Sequence, residues 1–168
     1  MEKTNHARLL ICQANPKGTG SAMRLELHPA HGETDGSLRL VLAPQLTVGD
    51  CRRRPMILPT FDWDNALKVK LDFTDASKVL QVLRGECESL EEGKGLFHLS
   101  ASGSQRILFR HLVDPIPGYH LEVERKDRVT GAERRVLFFV STAEACGLAE
   151  AFAAAIPLVA FGVPEADA

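Results

Sequence analysis

Residues 67–85, LKVKLDFTDASKVLQVLRG, carry two hydrophobic periods back to back. Leu67, Val69, Leu71 and Phe73 alternate with Lys68, Lys70 and Asp72, the pattern of a strand with one face buried and the other solvated. From Thr74 the period lengthens: Ala76, Val79, Leu80 and Leu83 follow the i, i+3, i+4, i+7 stripe of an amphipathic helix. Thr74 is the expected N-cap, its hydroxyl accepting from a first-turn N–H, and Asp75 suits the positive helix end. Gly85 supplies a left-handed stop. The stretch demands a strand that runs straight into a helix. Its apolar face is committed to a core, and Lys68 and Lys70 are left facing water.

The same logic extends in both directions. Residues 7–12 form a compact apolar run followed by turn material at 15–21. Met23, Leu25 and Leu27 alternate with Arg24, Glu26 and His28, and Leu38, Leu40 and Leu42 alternate with Ser37, Arg39 and Val41, predicting two further strands across a polar turn at 29–36. Residues 44–64 are irregular, with Pro44, Gly49, Pro55, Pro59 and the basic run Arg52, Arg53 and Arg54, and they read as a long loop. Phe61 and Trp63 close it, and core packing is the expected role of Trp63. After an acidic connector at 86–94, strands are expected at 95–100, 106–112, 119–123 and 135–140, separated by turns at 102–104, 114–118 and 126–133.

The opening pattern then returns. Ser141 with Glu144 fits a capping box, and Ala145, Leu148, Ala149 and Phe152 repeat the helical stripe, with Pro157 marking the expected end. The chain therefore reads as ββββα followed by ββββα, an α+β pseudo-repeat within a single domain spanning 1–168. Its first unit covers 7–85 and its second 94–157. At 168 residues, with 45% hydrophobic and 25% charged residues, the chain has enough apolar material for a real core, which argues against extensive disorder.

Cys12, Cys51, Cys87 and Cys146 are scattered without a CxxC pair. Buried free thiols in a reducing cytoplasm are therefore expected, rather than disulfides or a zinc site. The first residues lack the long apolar run of a signal peptide, and the apolar segment 149–163 carries Glu150 and Pro157 and reads as too short to span a bilayer. Catalysis finds little support. His28 and His31 lack a third ligand at a recognisable spacing, Cys146 sits in an alanine-rich helix as a packed thiol, and no GxSxG, P-loop or dinucleotide pattern occurs. No metal and no cofactor is called for.

The double element order resembles the Whirly family of single-stranded-DNA-binding proteins and, more broadly, the fold of the positive-cofactor-four type of transcriptional coactivator. The resemblance rests on element order from about Ala7 to Pro157 and on the junctions Phe73-Thr74-Asp75 and Val140-Ser141-Thr142. Plant Whirly proteins carry Lys-Gly-Lys-Ala-Ala-Leu on a strand of the first half. The nearest match here, Gly93-Lys94-Gly95-Leu96, follows the first helix, so Lys94 is not equated with the family's lysines and no individual binding residue is carried over. The resemblance implies two four-stranded antiparallel sheets packed together with two helices, a single-stranded DNA or RNA ligand, and a role in transcription.

Single-strand binding needs cations along a groove and planar groups for stacking. Lys68 and Lys70 share the solvent parity of one strand, Arg106 and Arg110 share one parity of another, and Lys126 with Arg52, Arg53 and Arg54 extends the set. Such a local surface is compatible with the formal charge of −2, although alternating Lys and Arg is also what any solvated strand face looks like. Aromatic residues are scarce at 6%; Phe97, Tyr119 and Trp63 are the candidates for stacking, but core or edge packing is the expected role of each. The alternative is a protein-interaction or oligomerisation module, a homo-oligomer included, which the apolar tail 158–161 would serve. Neither reading involves a membrane.

Overall fold

The computed structural model describes residues 8–163. Ala7, where the first strand is expected to begin, and the tail 164–168 lie outside the described residues. Strands β1 (Arg8–Gln13), β2 (Ser21–His28), β3 (Ser37–Thr47) and β5 (Leu67–Leu71) form one antiparallel sheet, joined by the two-residue strand β4 (Thr60–Phe61). β3 is its centre, pairing β2 along one edge and β5 and β4 along the other. Strands β6 (Leu96–Ser100), β7 (Gly103–Leu112), β8 (Gly118–Asp127) and β9 (Glu133–Ser141) form a second antiparallel sheet in chain order. Helix α1 (Phe73–Leu83) follows β5 and helix α2 (Thr142–Phe161) follows β9. The expected α+β architecture of two antiparallel sheets with two helices is present, with β4 as an addition.

Strand alternation gives each sheet one apolar face, and those faces share a core. Leu25, Leu40, Val69 and Leu71 come from the first sheet, and Ile107, Val123, Phe138 and Val140 from the second. Val79 and Leu83 of α1 and Leu148 and Phe152 of α2 pack into the same continuous cluster. Direct polar ties join the sheets at their rims: Ser21 Oγ donates to the Leu137 carbonyl and Gln13 Nε2 to the Phe139 carbonyl at 2.7 Å.

Both junctions into helices begin at caps. At the second, Ser141 Oγ accepts from the Glu144 N–H at 3.2 Å while the Glu144 carboxylate accepts from the Ser141 N–H at 2.8 Å, completing the expected box. At the first, the cap is Asp72 and not Thr74: the Asp72 carboxylate accepts from the Asp75 N–H at 2.8 Å. Asp ranks above Thr as a cap, and Asp72 directly follows Leu71, the last buried residue of β5. Phe73 consequently belongs to the helix and is 49% exposed, where alternation alone puts it in the core.

α2 also runs past Pro157, which lies within it. Proline forfeits one intrahelical hydrogen bond, but the following turn is held from outside: Val159 is buried, and the Leu158 carbonyl accepts from the Ala30 N–H at 3.0 Å and from the Gly162 N–H at 2.9 Å. At twenty residues this helix is long and apolar enough to cross a membrane by composition, yet its stripe from Ala145 to Val159 is spent on the core. The four cysteines are exposed free thiols, not buried ones, because each lies off the core-facing parity or in a connector.

The core account predicts that Phe138→Ala, which empties a site only 1% exposed, destabilises the fold by about 3–5 kcal/mol. Asp72→Ala costs about 1 kcal/mol against little for Thr74→Ala. Chemical denaturation of the three variants measures both effects.

Candidate nucleic-acid interface

With one face of each sheet buried, polar side chains collect on the other. On the first sheet, strand register lines up Arg8, Glu26, Arg39 and Lys70 in one row and Leu10, Arg24, Val41 and Lys68 in the next. Lys68 and Lys70 are exposed while Leu67, Val69 and Leu71 are buried. The Arg24 guanidinium lies 5.0 Å from the centre of the Trp63 ring, a cation–π arrangement. Trp63 and Phe61 pack over Val41, Ala43 and Ala66, a small apolar cluster separate from the main core. Packing is thus the role of Trp63, on the outer rather than the inner face.

On the second sheet, register places Phe97, Arg106, Glu124 and Arg135 side by side, with Lys126 and Glu133 in the neighbouring row. These residues line a depression of about 730 Å³, in which the cations Lys94, Arg106, Arg125, Lys126, Arg134 and Arg135 face two carboxylates, Glu124 and Glu133. Phe97 on its wall is 62% exposed. Lys94 is brought there by an unusual turn. The acidic connector folds through Leu90–Gly93 with Glu91 and Glu92 at positive φ of 46° and 54°, a costly conformation for residues other than glycine. The buried Leu90 anchors this turn and the Lys78–Glu91 ion pair ties it to α1. A side chain at Gly95, φ 78°, would meet the Ile107 carbonyl, so only glycine lets the chain enter β6 there.

Within the depression the charges are partly spoken for. Arg106 grips the Glu124 carboxylate through Nε at 2.8 Å and Nη2 at 2.7 Å, and Lys126 Nζ lies 2.9 Å from Glu133. Burial pushes the Glu124 carboxyl up, but the Arg106 guanidinium, a hydrogen bond with Glu122 and the charge of Arg135 together hold it below its ordinary value. Arg125 donates to Ser102 Oγ at 3.2 Å and Arg134 to the Asn65 carbonyl at 2.9 Å. The latter contact, with Gln105 Nε2 to the Lys68 carbonyl at 2.9 Å, sets the end of the depression against β5 of the first sheet.

Arg110 lies on the same face as Arg106 but in a second, smaller depression of about 340 Å³ with His111, His120 and Glu122. Arg52, Arg53 and Arg54 belong to neither sheet. Residues 45–61 form a two-stranded arm, pinned by paired Asp50 and Ile57 backbone bonds at 2.8 and 3.1 Å, and the three exposed arginines occupy its turn. The long loop expected at 44–64 is thus largely this arm. Tyr119 is buried, stacked on Phe109 at 5.3 Å, with its hydroxyl donating to the Leu83 carbonyl, which removes it as a stacking surface.

Sequence reasoning overlooked Arg125, Arg134 and Arg135, which sit at the ends of β8 and β9 and converge only through register. It also passed over Arg8, Arg24 and Arg39, whose alternation with apolar neighbours carried the same signal as Lys68 and Lys70. Among the described residues, no three His, Cys, Asp or Glu side chains are placed to hold a metal ion.

No protein-family profile and no curated protein matches the sequence. The fold, however, is that of the Whirly proteins. WHY1 from Arabidopsis thaliana superposes with a TM-score of 0.74 at 16% identity, covering 96% of this chain and 89% of that one. The plant transcriptional regulator PBF-2 superposes at 0.70 and 16% identity, covering 94% and 84%. A guide-RNA-binding protein complex bound to a guide RNA superposes at 0.58 and 13% identity, covering 92% of each chain.

The second depression makes a pH prediction. Burial lowers the His120 pKa, with Arg110 and Arg135 adding to the shift against Glu122. A histidine whose folded-state pKa is depressed favours the unfolded state on protonation, so its cost grows as pH falls through the imidazole range. Thermal melts across that range should show a steeper loss of stability for the wild type than for His120→Gln, and an NMR titration should place His120 below the ordinary imidazole value.

Proposed function

We propose that this protein is a non-enzymatic single-stranded nucleic-acid-binding module that works in transcription or DNA handling, in the reducing cytoplasm that four free thiols suit. The observation that carries the reading is the depression on the second sheet, where six cations surround an exposed Phe97. The fold neighbours, a transcriptional regulator and a complex bound to guide RNA, support it. Arg106, Lys126 and their neighbours meet phosphates, and Phe97 offers a face to an unpaired base. Lys68 and Lys70 lie outside that depression, on the exposed face of the first sheet, whose β5 end meets it through the Gln105 and Arg134 contacts; with Arg110 and the arm residues Arg52, Arg53 and Arg54 they are the proposed flanking phosphate contacts. Because the contacts are to phosphate and to stacked bases, binding is indifferent to sequence, and it needs neither metal nor cofactor.

Fluorescence-anisotropy titration with a single-stranded oligonucleotide tests this. Affinity should fall steeply with salt, with log K declining by about 0.7 per phosphate contacted for each decade of salt. Lys68→Glu with Lys70→Glu should weaken binding without unfolding, and Phe97→Ala should cost about 1–3 kcal/mol. Absence of binding at low salt would refute the reading.

One observation favours a second reading, a protein-interaction or self-association module: Phe161 at the end of α2 is 89% exposed and Leu99 on the open edge strand β6 is 78% exposed. Truncation at Pro157 would remove the buried Val159, so Phe161→Ser is the cleaner probe. Light scattering that shows an oligomer lost in this variant, together with no oligonucleotide binding, would select the second reading.

A further inference from the structure

Resting on the nucleic-acid reading, we infer that Glu124 and Glu133 are specificity-determining residues of the depression, standing where phosphates would bind so that only a long polyanion displaces them. Two of its six cations hold a carboxylate tightly: Arg106 clasps Glu124 through Nε at 2.8 Å and Nη2 at 2.7 Å, and Lys126 holds Glu133 at 2.9 Å. The hydrogen bonds of Arg125 and Arg134 go to neutral groups, the Ser102 hydroxyl and the Asn65 carbonyl. A carboxylate on the adjacent strand is present at high effective concentration, and a single phosphate gains little by replacing it. A strand that first engages Arg125, Arg134 and Lys94 brings further phosphates to Arg106 and Lys126 as an intramolecular step, and the exchange then becomes favourable.

The two carboxylates therefore set a length threshold: mononucleotides, free phosphate and very short oligomers are excluded. They also lower the number of counterions released on binding, since Arg106 and Lys126 are neutralised before the ligand arrives. Arg135 is less engaged, its Nη1 lying 3.5 Å from Glu122, so the threshold centres on the two tight pairs.

The experiment compares wild type, Glu133→Gln and the double variant Glu124→Gln/Glu133→Gln, using fluorescein-labelled oligodeoxythymidines of about 4 and about 12 nucleotides over a salt series. Circular dichroism checks that each variant is folded. Glu133 is 70% exposed at its side chain, so the single variant keeps the test in hand if the double variant is damaged. Expected are a gain in affinity of about tenfold in the double variant, larger for the short oligomer than for the long one, and a salt slope steeper by about 1.4, or about 0.7 for Glu133→Gln alone. If the wild type binds and folded Glu133→Gln shows the same affinity, slope and length ratio, the inference fails while the nucleic-acid reading stands. If neither wild type nor variants bind at low salt, both fail.

Discussion

Two one-sided sheets must share a core, and everything else in this protein follows from that constraint. Leu71, Phe138 and Val140 are buried because their strands alternate, and the same alternation forces Lys68, Lys70, Arg106 and Lys126 outward. The helices complete the burial, α1 through Val79 and Leu83 and α2 through Leu148 and Phe152. A register slip of one residue in any strand would exchange the two sets. The polar outer faces are therefore as firmly specified as the core itself.

The two outer faces differ in how their charge is managed. The first sheet carries Arg8, Arg24, Arg39, Lys68 and Lys70 against Glu26, which pairs with Arg24 at 2.6 Å. On the second sheet the cations are more numerous but interleaved with Glu122, Glu124 and Glu133 at ion-pair distance. Exposed pairs of this kind contribute little to stability. In a chain with a formal charge of −2, six cations and two carboxylates thus line one concave site.

Much of this was legible in the sequence, because strand alternation and helical stripes are local signals. Both strand-to-helix junctions, the capping box at Ser141, the left-handed Gly85 and the outward parity of Lys68, Lys70, Arg106 and Arg110 were readable from spacing alone. The failures share a cause. Asp72 displaced Thr74, and α2 continued through Pro157, because tertiary contacts at Leu71, Ala30 and Val159 decided between local options of similar cost. The depression was invisible because it joins Lys94, Arg106, Arg125 and Arg135 across strand pairs, and pairing register is not written in any one segment. For Tyr119 the packing reading holds, and its partner Phe109 lies on the neighbouring strand.

The central claim is that a nucleic-acid strand lies in the outer depression of the second sheet. The most direct measurement is a map of backbone amide chemical shifts on adding a single-stranded oligonucleotide to the isotopically labelled protein. The account predicts that the largest changes fall at Phe97, Arg106, Lys126 and Arg135, extending to Lys68 and Lys70. Changes confined to the exposed surfaces of α1 and α2, with the depression silent, would contradict it.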